Sequence, residues 1–326
     1  LSTTRSTSGQ SAILHFLVSS CAHISIITLF LSISMVSGWT NLFLLVSVFI
    51  SSLSRASPVL STASILRLRE ETREAFFHSY DSYLTFAYPH DELKPLSCEP
   101  RSYLNKTRGT LDDVLGGFML TLIDSLSSLL LMQEYERFNE ALTMIQRDLS
   151  FDKNVTVSVF ETNIRVLGGL LSAHQLSLTL VHTTNITYNG HFLLDKAVDL
   201  ADRLLPAFDT KTGIPYHIVH LQHGMQTTAT SMRATATATP TAVSSSKTCP
   251  AAGASFLLEM GILSRLTGNS LYIDTAQRAT LAIWSRRSKL NLVGSLIDVQ
   301  TGKWAQSHSG IGAGIDSFYE TMFKGK

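Results

Sequence analysis

Segments with a helical apolar period follow one another along most of the chain, and this succession constrains the fold more than any other feature. Apolar residues recur at helical spacing over residues 66–78, 115–131, 134–148, 193–205, 255–267 and 270–288. That period is typical of helices with a buried face. Short loops carrying glycine, proline and aspartate join the segments, so neighbouring helices can pack as pairs. The pattern predicts an all-α protein, and paired helices of this kind suit an α/α toroid.

Composition limits the class of partner and the redox chemistry. The chain has 326 residues and a formal net charge of +1, which supports a sizeable core but not the basic surface of a nucleic-acid-binding protein. Its three cysteines, Cys21, Cys98 and Cys249, are too few for a disulfide framework. Cys98 can pair with Cys249 in an oxidising compartment, or with a cysteine beyond residue 326, and the sequence leaves both pairings open.

A long hydrophobic leader precedes the helical part. No Asp, Glu, Lys or Arg occurs between Arg5 and Arg55. Residues 24–50 are long enough for a membrane-spanning helix of about 20 apolar residues, and residues 42–50 fit the apolar core of a signal peptide. A buried soluble helix is the third alternative. We assign residues 1–56 to a signal or anchor segment and residues 57–326 to the helical domain.

Two further features concern the surface. Residues 227–248 are rich in threonine, alanine and serine and have little with which to form a core. They predict a disordered surface insertion within a loop, or a plain linker. Three N-glycosylation sequons begin at Asn105, Asn154 and Asn185. Together with the leader, the sequons favour the lumen of the secretory pathway.

Two pairs of charged residues are candidates for chemistry. Asp316 and Glu320 lie four residues apart after a glycine-rich turn, so both carboxylates project from one face of a helix start. Glu161 and Arg165 have the same spacing beside an apolar helical stripe formed by Phe160, Ile164, Leu167 and Leu171. Alone, the first pair is a solvated helix start and the second an ordinary ion pair. In a sugar-binding cavity, the same groups can hold a substrate.

Four long blocks, in order, resemble glycoside hydrolase family 47, the class I α-mannosidases. They are residues 79–98, the "FExxIRxLGGLLSAH" helix within 151–174, the "AFDTKTGIPY" loop at 207–216 and the "DSFYE" helix at 316–320. The resemblance extends from about residue 70 to the end. It implies an (α/α) barrel of seven helix pairs with the active site at its axis. The chain has helices for about half of such a barrel, so we expect an incomplete one.

Within that family, the chain is most similar to the ER degradation-enhancing α-mannosidase-like proteins. The similarity rests on residues 150–153, 296–304 and 312–314, where Gly314 stands two residues before Asp316. The resemblance implies inverting hydrolysis of α-1,2-linked mannose on the N-glycans of misfolded glycoproteins in the endoplasmic reticulum. An ER oxidoreductase is a further implied partner, and the hydrophobic leader of residues 1–56 adds a membrane.

The resemblance also assigns roles to individual residues. Glu161 matches the catalytic glutamate that acts as the acid, and Asp316 matches the catalytic aspartate. Arg165 matches an arginine that contacts the sugar, and Glu320 a carboxylate lining the cavity. Asp91 and Glu92 either line the cavity or hold their loop. Asp124 matches a family aspartate that we interpret as structural.

The metal and the completeness of the site are further expectations. The family's cofactor is a calcium ion, whose threonine ligand lies beyond Lys326, as does a third acidic residue, so we expect no metal site within these residues and no activity from them alone. His90, His174, His220 and His223 have no zinc-ligand spacing. Gly168 and Gly169 are interpreted as a close-packing site between helices. The alternatives to an enzyme are a membrane-tethered, catalytically inactive lectin-like protein and a non-functional fragment.

Overall fold

The computed structural model describes residues 60–188, 190–225 and 246–325. The chain divides into two compact units, Leu1–Leu68 and Arg69–Lys326. Of the first unit, only residues 60–68 are described, and they include the beginning of the first helix. None of the described helices is long and apolar enough to cross a bilayer. The hydrophobic leader of residues 1–56 lies outside the described residues, as do the first 19 residues of the 227–248 insertion (227–245).

Helices dominate the described residues, as the apolar periodicity predicts. They are α1 (Thr62–Phe86), α2 (Leu120–Leu131), α3 (Tyr135–Asp148), the single turn α4 (Val159–Glu161), α5 (Gly168–Leu180), α6 (Phe192–Leu204), α7 (Pro250–Ala254), α8 (Leu257–Thr267), α9 (Leu271–Trp284) and α10 (Asp316–Lys324). Short 3₁₀ helices occupy Gly109–Val114 and Leu205–Phe208. Each helical segment predicted from the sequence corresponds to one of these helices, with ends that differ by up to eight residues.

Every second long helix forms a common inner row. α2 packs against α5, α5 against α8, and α8 against α10, while α3, α6 and α9 pack on α2, α5 and α8 respectively. Leucine and isoleucine cover most faces of α2, and seven of its residues are buried. By contrast, the outer helices α3 and α6 bury a single stripe each. The sequence pattern therefore separates helices enclosed by neighbours from helices with a solvent face.

Three small antiparallel sheets accompany the helices and were not predicted from the sequence. The first pairs β1 (Glu92–Lys94) with β2 (Glu99–Arg101), and the second pairs β3 (Thr156–Ser158) with β4 (Ile218–His220). The third has the order β5 (Lys247–Thr248), β6 (Leu296–Asp298) and β7 (Trp304–Gln306). The last two residues of the 227–248 segment therefore belong to a sheet, which corrects the prediction of a surface insertion at that end.

A π-helix joins α4 to α5. Thr162–Leu167 has π-helical winding, and the residues on either side are α-helical. Because this winding adds residues to each turn, the side chains do not keep the stripe expected from an α-helical period. Leu167 and Leu171 are buried as predicted, but Phe160 and Ile164 are only partly buried. Short π-helical segments inside α-helices occur frequently at functional sites.

Candidate active site

One cavity collects most of the charged residues that the sequence singled out. Its volume is about 840 Å³, large enough for a small oligosaccharide. Four carboxylates line it, namely Glu92, Asp124, Glu161 and Asp316, together with three basic residues, Arg108, Arg165 and Lys247. The wall comes from α2, α4, the π-helix, α7 and α10 and from the loops and strands between them. The cavity thus lies where the inner row of helices meets the small sheets.

Arg165 joins two of the carboxylates. Its Nε donates to Glu161 Oε2 at 2.8 Å, and its Nη1 lies 3.8 Å from Asp124 Oδ2. The i,i+4 ion pair expected from the sequence is therefore present. Asp124, the second carboxylate, is contributed by α2. Both carboxyl groups remain accessible, with Glu161 33% and Asp124 41% exposed, so a ligand in the cavity can contact them.

Local structure fixes the direction of Glu161. Ser158 precedes α4 with extended backbone angles, and its Oγ accepts a hydrogen bond from Glu161 N at 3.3 Å. A serine in this position caps a helix start by satisfying a free backbone amide. The π-helix begins at the next residue, Thr162, and carries Arg165 back toward Glu161. The cap and the π-helix together place both side chains at the cavity.

Asp124 has an environment that favours its protonated form. Partial desolvation by the surrounding wall raises the pKa of Asp124, the positive charge of Arg165 opposes that rise, and the negative charge of Glu161 adds to it. A carboxyl group with a raised pKa beside a second carboxylate is an arrangement used for proton transfer. The sequence resemblance suggested a structural role for Asp124, but the structure places it at the cavity.

Asp316 reaches the cavity from the start of α10. The preceding Gly314 has a positive φ of 87°, a conformation that glycine adopts without the strain of a side chain. Its carbonyl accepts a hydrogen bond from Ala251 N at 2.9 Å, which fixes the loop to α7. Asp316 Oδ1 accepts from Ser317 N at 2.8 Å and the side chain stays exposed. The loop therefore presents the carboxylate at the helix N-terminus, where the helix dipole favours a negative charge.

Glu92 lines the cavity but is already held by arginines. Its Oε2 lies 3.2 Å from Arg101 Nε and 3.0 Å from Arg108 Nη2. Arg108 also donates from Nε to Asp112 Oδ1 at 2.6 Å. Glu92 is thus part of an ion-pair network at the edge of the cavity, where it can both hold the β1–β2 hairpin and contact a ligand.

Asp91 and Glu320 do not line the cavity, in contrast to the expected substrate contacts. Asp91 is fully buried, and its two carboxylate oxygens accept hydrogen bonds from the backbone amides of Gly117, Phe118 and Leu120 at 2.7, 2.6 and 3.3 Å. It therefore holds the loop before α2, the other alternative considered from the sequence. Glu320 is 59% exposed and accepts from Lys324 Nζ at 2.6 Å along α10.

Replacing Asp91 with asparagine is expected to destabilise the fold by about 1–3 kcal/mol, because the amide group turns a donor toward backbone donors that then lose their acceptor. Chemical denaturation of the variant and the parent measures the difference. A sugar-binding role would instead leave the free energy of unfolding unchanged and lower the affinity for mannosides.

The two described cysteines are not paired. Cys98 is exposed in the turn between β1 and β2, whereas Cys249 is half-buried on the cavity wall before α7. Of the two pairings that the sequence left open, the one between Cys98 and Cys249 is not formed in the structure, and only Cys249 is among the residues that line the cavity. Cys21 lies outside the described residues.

The acidic side chains of the described residues do not gather into a cluster that would hold calcium through carboxylates. Calcium prefers six to eight oxygen ligands, yet over residues 60–188, 190–225 and 246–325 no three acidic, histidine or cysteine side chains converge on one point. The carboxylates at the cavity are instead engaged with arginines or spread over separate walls. No step of the chemistry below is therefore assigned to a metal.

Several cavity residues carried no signal that sequence reasoning used. Phe160 was assigned to the buried stripe, and Thr248 fell at the end of the low-complexity segment. His217 follows the Gly-Ile-Pro-Tyr turn without any recognisable spacing to another candidate. All three line the cavity. Their positions follow from the π-helix and from strand pairing, which a helical period does not reveal.

The family profile and the similar proteins all indicate the same family. The sequence profile of glycosyl hydrolase family 47 matches residues 75–326. "Alpha-mannosidase I MNS4" of Arabidopsis thaliana is 43% identical over 79% of this chain and 37% of its own length. "ER degradation-enhancing alpha-mannosidase-like protein 2" of Homo sapiens is 41% identical over 79% of this chain and 40% of its own length. "ER degradation-enhancing alpha-mannosidase-like protein 1" of Schizosaccharomyces pombe is 39% identical over 81% of this chain and 32% of its own length.

A solved structure supports the same relationship. The α-1,2-mannosidase from Trichoderma reesei superposes with a TM-score of 0.64 at 29% identity, over 78% of this chain and 49% of that one. The chain thus covers between about a third and two-fifths of the length of these curated relatives, and about half of the length of the solved structure. Because the family profile covers most of the chain, including every block that carries the cavity carboxylates, the chain belongs to glycosyl hydrolase family 47.

Proposed function

We propose that this protein contributes the catalytic cavity of an inverting α-1,2-mannosidase that trims mannose-rich N-glycans. The observation that carries the proposal is the cluster of Glu161, Arg165 and Asp124 on a wall of the cavity that Asp316 also lines. Glycoside hydrolysis needs carboxyl groups that flank a scissile bond. An open cavity with carboxylates on separate helices meets that need.

The fold we propose is an arc of an (α/α) toroid. The inner row α2, α5, α8 and α10, with α3, α6 and α9 packed on its first three members, is the arrangement expected of such a toroid. The carboxylates come from this inner row or from the turns that lead into it. The similarity to the Trichoderma reesei enzyme supports the same architecture.

Four residues of the cavity have roles in the proposed chemistry. Glu161 protonates the glycosidic oxygen as the bond to the leaving sugar breaks. Arg165 holds the Glu161 carboxyl in place and donates to sugar hydroxyl groups, since its side chain is 44% exposed. Asp124, whose pKa is raised chiefly by desolvation, is a second carboxyl group beside Arg165. Asp316 acts as the base. It accepts a proton from the water molecule whose oxygen bonds to the anomeric carbon on the face opposite the breaking glycosidic bond, while the proton from Glu161 leaves on the released sugar.

The biological setting is the lumen of the endoplasmic reticulum, where the protein trims misfolded glycoproteins before their degradation. Two of the three curated relatives compared above carry "ER degradation-enhancing" in their names. The asparagines of the three sequons, Asn105, Asn154 and Asn185, are all exposed, which glycosylation in that compartment requires. Membrane attachment by residues 1–56 and delivery of substrate by an oxidoreductase remain part of the hypothesis.

Release of free mannose tests the proposal. The protein expressed from its complete transcript is incubated with α-1,2-linked mannobiose, and with the α-1,3- and α-1,6-linked isomers as controls. We expect mannose only from the α-1,2 isomer. Proton NMR of the first product formed is expected to show the β-anomer, because inversion changes the configuration of the α-linked sugar.

Each other outcome has a definite meaning. The α-anomer as first product would contradict inversion. Binding of the disaccharide without release of mannose would favour the lectin-like alternative, in which the cavity holds glycans without cleaving them. Equal cleavage of all three linkages would contradict the α-1,2 specificity.

A further inference from the structure

Two polar atoms of the cavity wall are buried without a hydrogen-bond partner. Thr248 is only 3% exposed, and its Oγ1 makes no hydrogen bond to any of the described residues. The Nδ1 atom of His217 is likewise buried and lacks a partner in the part of the chain that the structure describes. Both residues line the cavity that holds Glu161 and Asp316.

Such atoms are unusual in a folded protein. More than about 90% of buried polar groups have a partner, because an unsatisfied one destabilises the fold. A pair of them on one cavity wall therefore suggests that a ligand satisfies them. Neither residue belongs to the carboxylate and arginine cluster described above, so this ligand contact is additional.

The backbone holds both residues next to the catalytic segments. The carbonyl of His217 accepts a hydrogen bond from Val159 N at 2.9 Å, two residues before Glu161. Thr248 is paired with Ile297 in the third sheet and is followed by Cys249 and α7. α7 in turn packs against α4 and against α10, the helices that carry Glu161 and Asp316. His217 and Thr248 thus lie on a wall that connects the two acidic segments.

We propose that His217 and Thr248 form a polar shelf that binds hydroxyl groups of the sugar next to the one held by the carboxylates. The inference rests on the proposed mannosidase function and deepens it, since the shelf would select what the cleaved mannose is attached to. A second hexose ring carries several hydroxyl groups, each able to donate and to accept a hydrogen bond. It can therefore satisfy the threonine hydroxyl and the imidazole nitrogen together.

The charge state of the shelf fits a neutral ligand. Burial lowers the pKa of His217, and the negative charge of Asp113 opposes the change only in part. The imidazole is therefore neutral near pH 7, and threonine carries no charge. Hydroxyl groups are better partners than a phosphate or a carboxylate for two neutral, desolvated groups.

Calorimetric titration of a one-ring and a two-ring ligand tests the shelf. The probes are methyl α-mannoside and the S-linked α-1,2-mannobiose, which resists hydrolysis. We expect Thr248→Val to weaken binding of the disaccharide about 5-fold, the loss of one hydrogen bond, and to leave the affinity for methyl α-mannoside unchanged. A second variant, His217→Phe, keeps an aromatic ring and is expected to have the same effect.

Thermal stability separates binding from a structural role. Because the Thr248 hydroxyl has no protein partner, valine of similar shape is expected to leave the melting temperature unchanged or raise it. The matched control is Ser255→Ala, which removes another buried hydroxyl without a partner, at a residue outside the cavity lining. It is expected to change neither affinity.

The outcomes distinguish the shelf from the function on which it rests. Unchanged disaccharide affinity in both variants overturns the shelf, even if the parent protein releases mannose. Equal weakening of both ligands, with a lower melting temperature, overturns it as well. Selective loss of disaccharide binding in a protein that releases no mannose supports the shelf and overturns the enzymatic proposal.

Discussion

Replacing Glu161 with glutamine is expected to lower kcat for α-1,2-mannobiose by about 10²- to 10⁴-fold, the usual contribution of a positioned acid or base. Glutamine has nearly the shape of glutamate but has no carboxyl proton to give to the glycosidic oxygen. Its carbonyl oxygen can still accept the hydrogen bond from Arg165 Nε that the parent residue accepts at 2.8 Å. The fold and the sugar affinity are therefore expected to change little.

The measurement combines steady-state kinetics with binding of methyl α-mannoside. A matched control is Glu99→Gln, the same chemical change at a 62% exposed side chain on β2, outside the cavity lining. We expect the control to retain parental activity. A loss of sugar affinity in Glu161→Gln as large as the loss of kcat/KM would contradict a proton-transfer role, because it would show that Glu161 mainly binds the ground state.

Asp124 decides the interpretation if Glu161→Gln remains active. The pKa of Asp124 is raised by desolvation and by Glu161, against the effect of Arg165. A carboxyl group of this kind is the next candidate for the proton donor. An active Glu161→Gln variant whose activity disappears on the further change Asp124→Asn would transfer the acid role to α2.

The helices could be predicted from the sequence because each buries residues at a helical period. α2 is enclosed on most faces and is apolar on most of them, whereas α3 buries only one face and carries a single apolar stripe. The paired acidic and basic residues at Glu161 and Arg165 could also be predicted, because four residues along a helix bring side chains together. Local periodicity suffices for features that depend on near neighbours in the sequence.

Features that depend on distant strand pairing could not be predicted. β5 has only two residues and pairs with β6, about fifty residues later in the sequence. Two residues are too few to show the alternation of apolar and polar side chains that predicts a strand. Thr248 therefore looked like part of a low-complexity segment, although its backbone belongs to a sheet. Phe160 was misplaced for a different reason, since the π-helix that follows it breaks the period on which the prediction rested.

The contact between α2 and α5 leaves no room for a side chain at Gly169. A Cβ atom added at Gly169 would lie 2.7 Å from Ile123 Cγ2 and 3.2 Å from the Ile123 carbonyl oxygen. At Gly168 the nearest atom, Glu259 Cγ, would be 3.6 Å away, an ordinary contact. Adjacent glycines in one helix thus differ in the space available to them, and only Gly169 is a close-packing site of the kind expected from the sequence.

Gly169→Ala is expected to destabilise the protein by about 1–3 kcal/mol, because a methyl group must push α5 away from α2 in a core without free space. Gly168→Ala is expected to have the opposite sign, a gain of about 0.5–1 kcal/mol, since alanine is favoured over glycine in a helix. Chemical denaturation of both variants measures the two changes. Equal effects at the two positions would contradict the packing described for this pair of helices.

Gly169→Ala is also expected to change the position of a carboxylate in the cavity. Ile123 precedes Asp124 on α2, so a shift of α2 that makes room for the new methyl group also moves the Asp124 carboxylate relative to Arg165. We therefore expect Gly169→Ala to lower kcat for α-1,2-mannobiose even at temperatures where the variant is fully folded, whereas Gly168→Ala retains it. Full activity in a folded but destabilised Gly169→Ala variant would show that the position of Asp124 is not set by the α2–α5 contact.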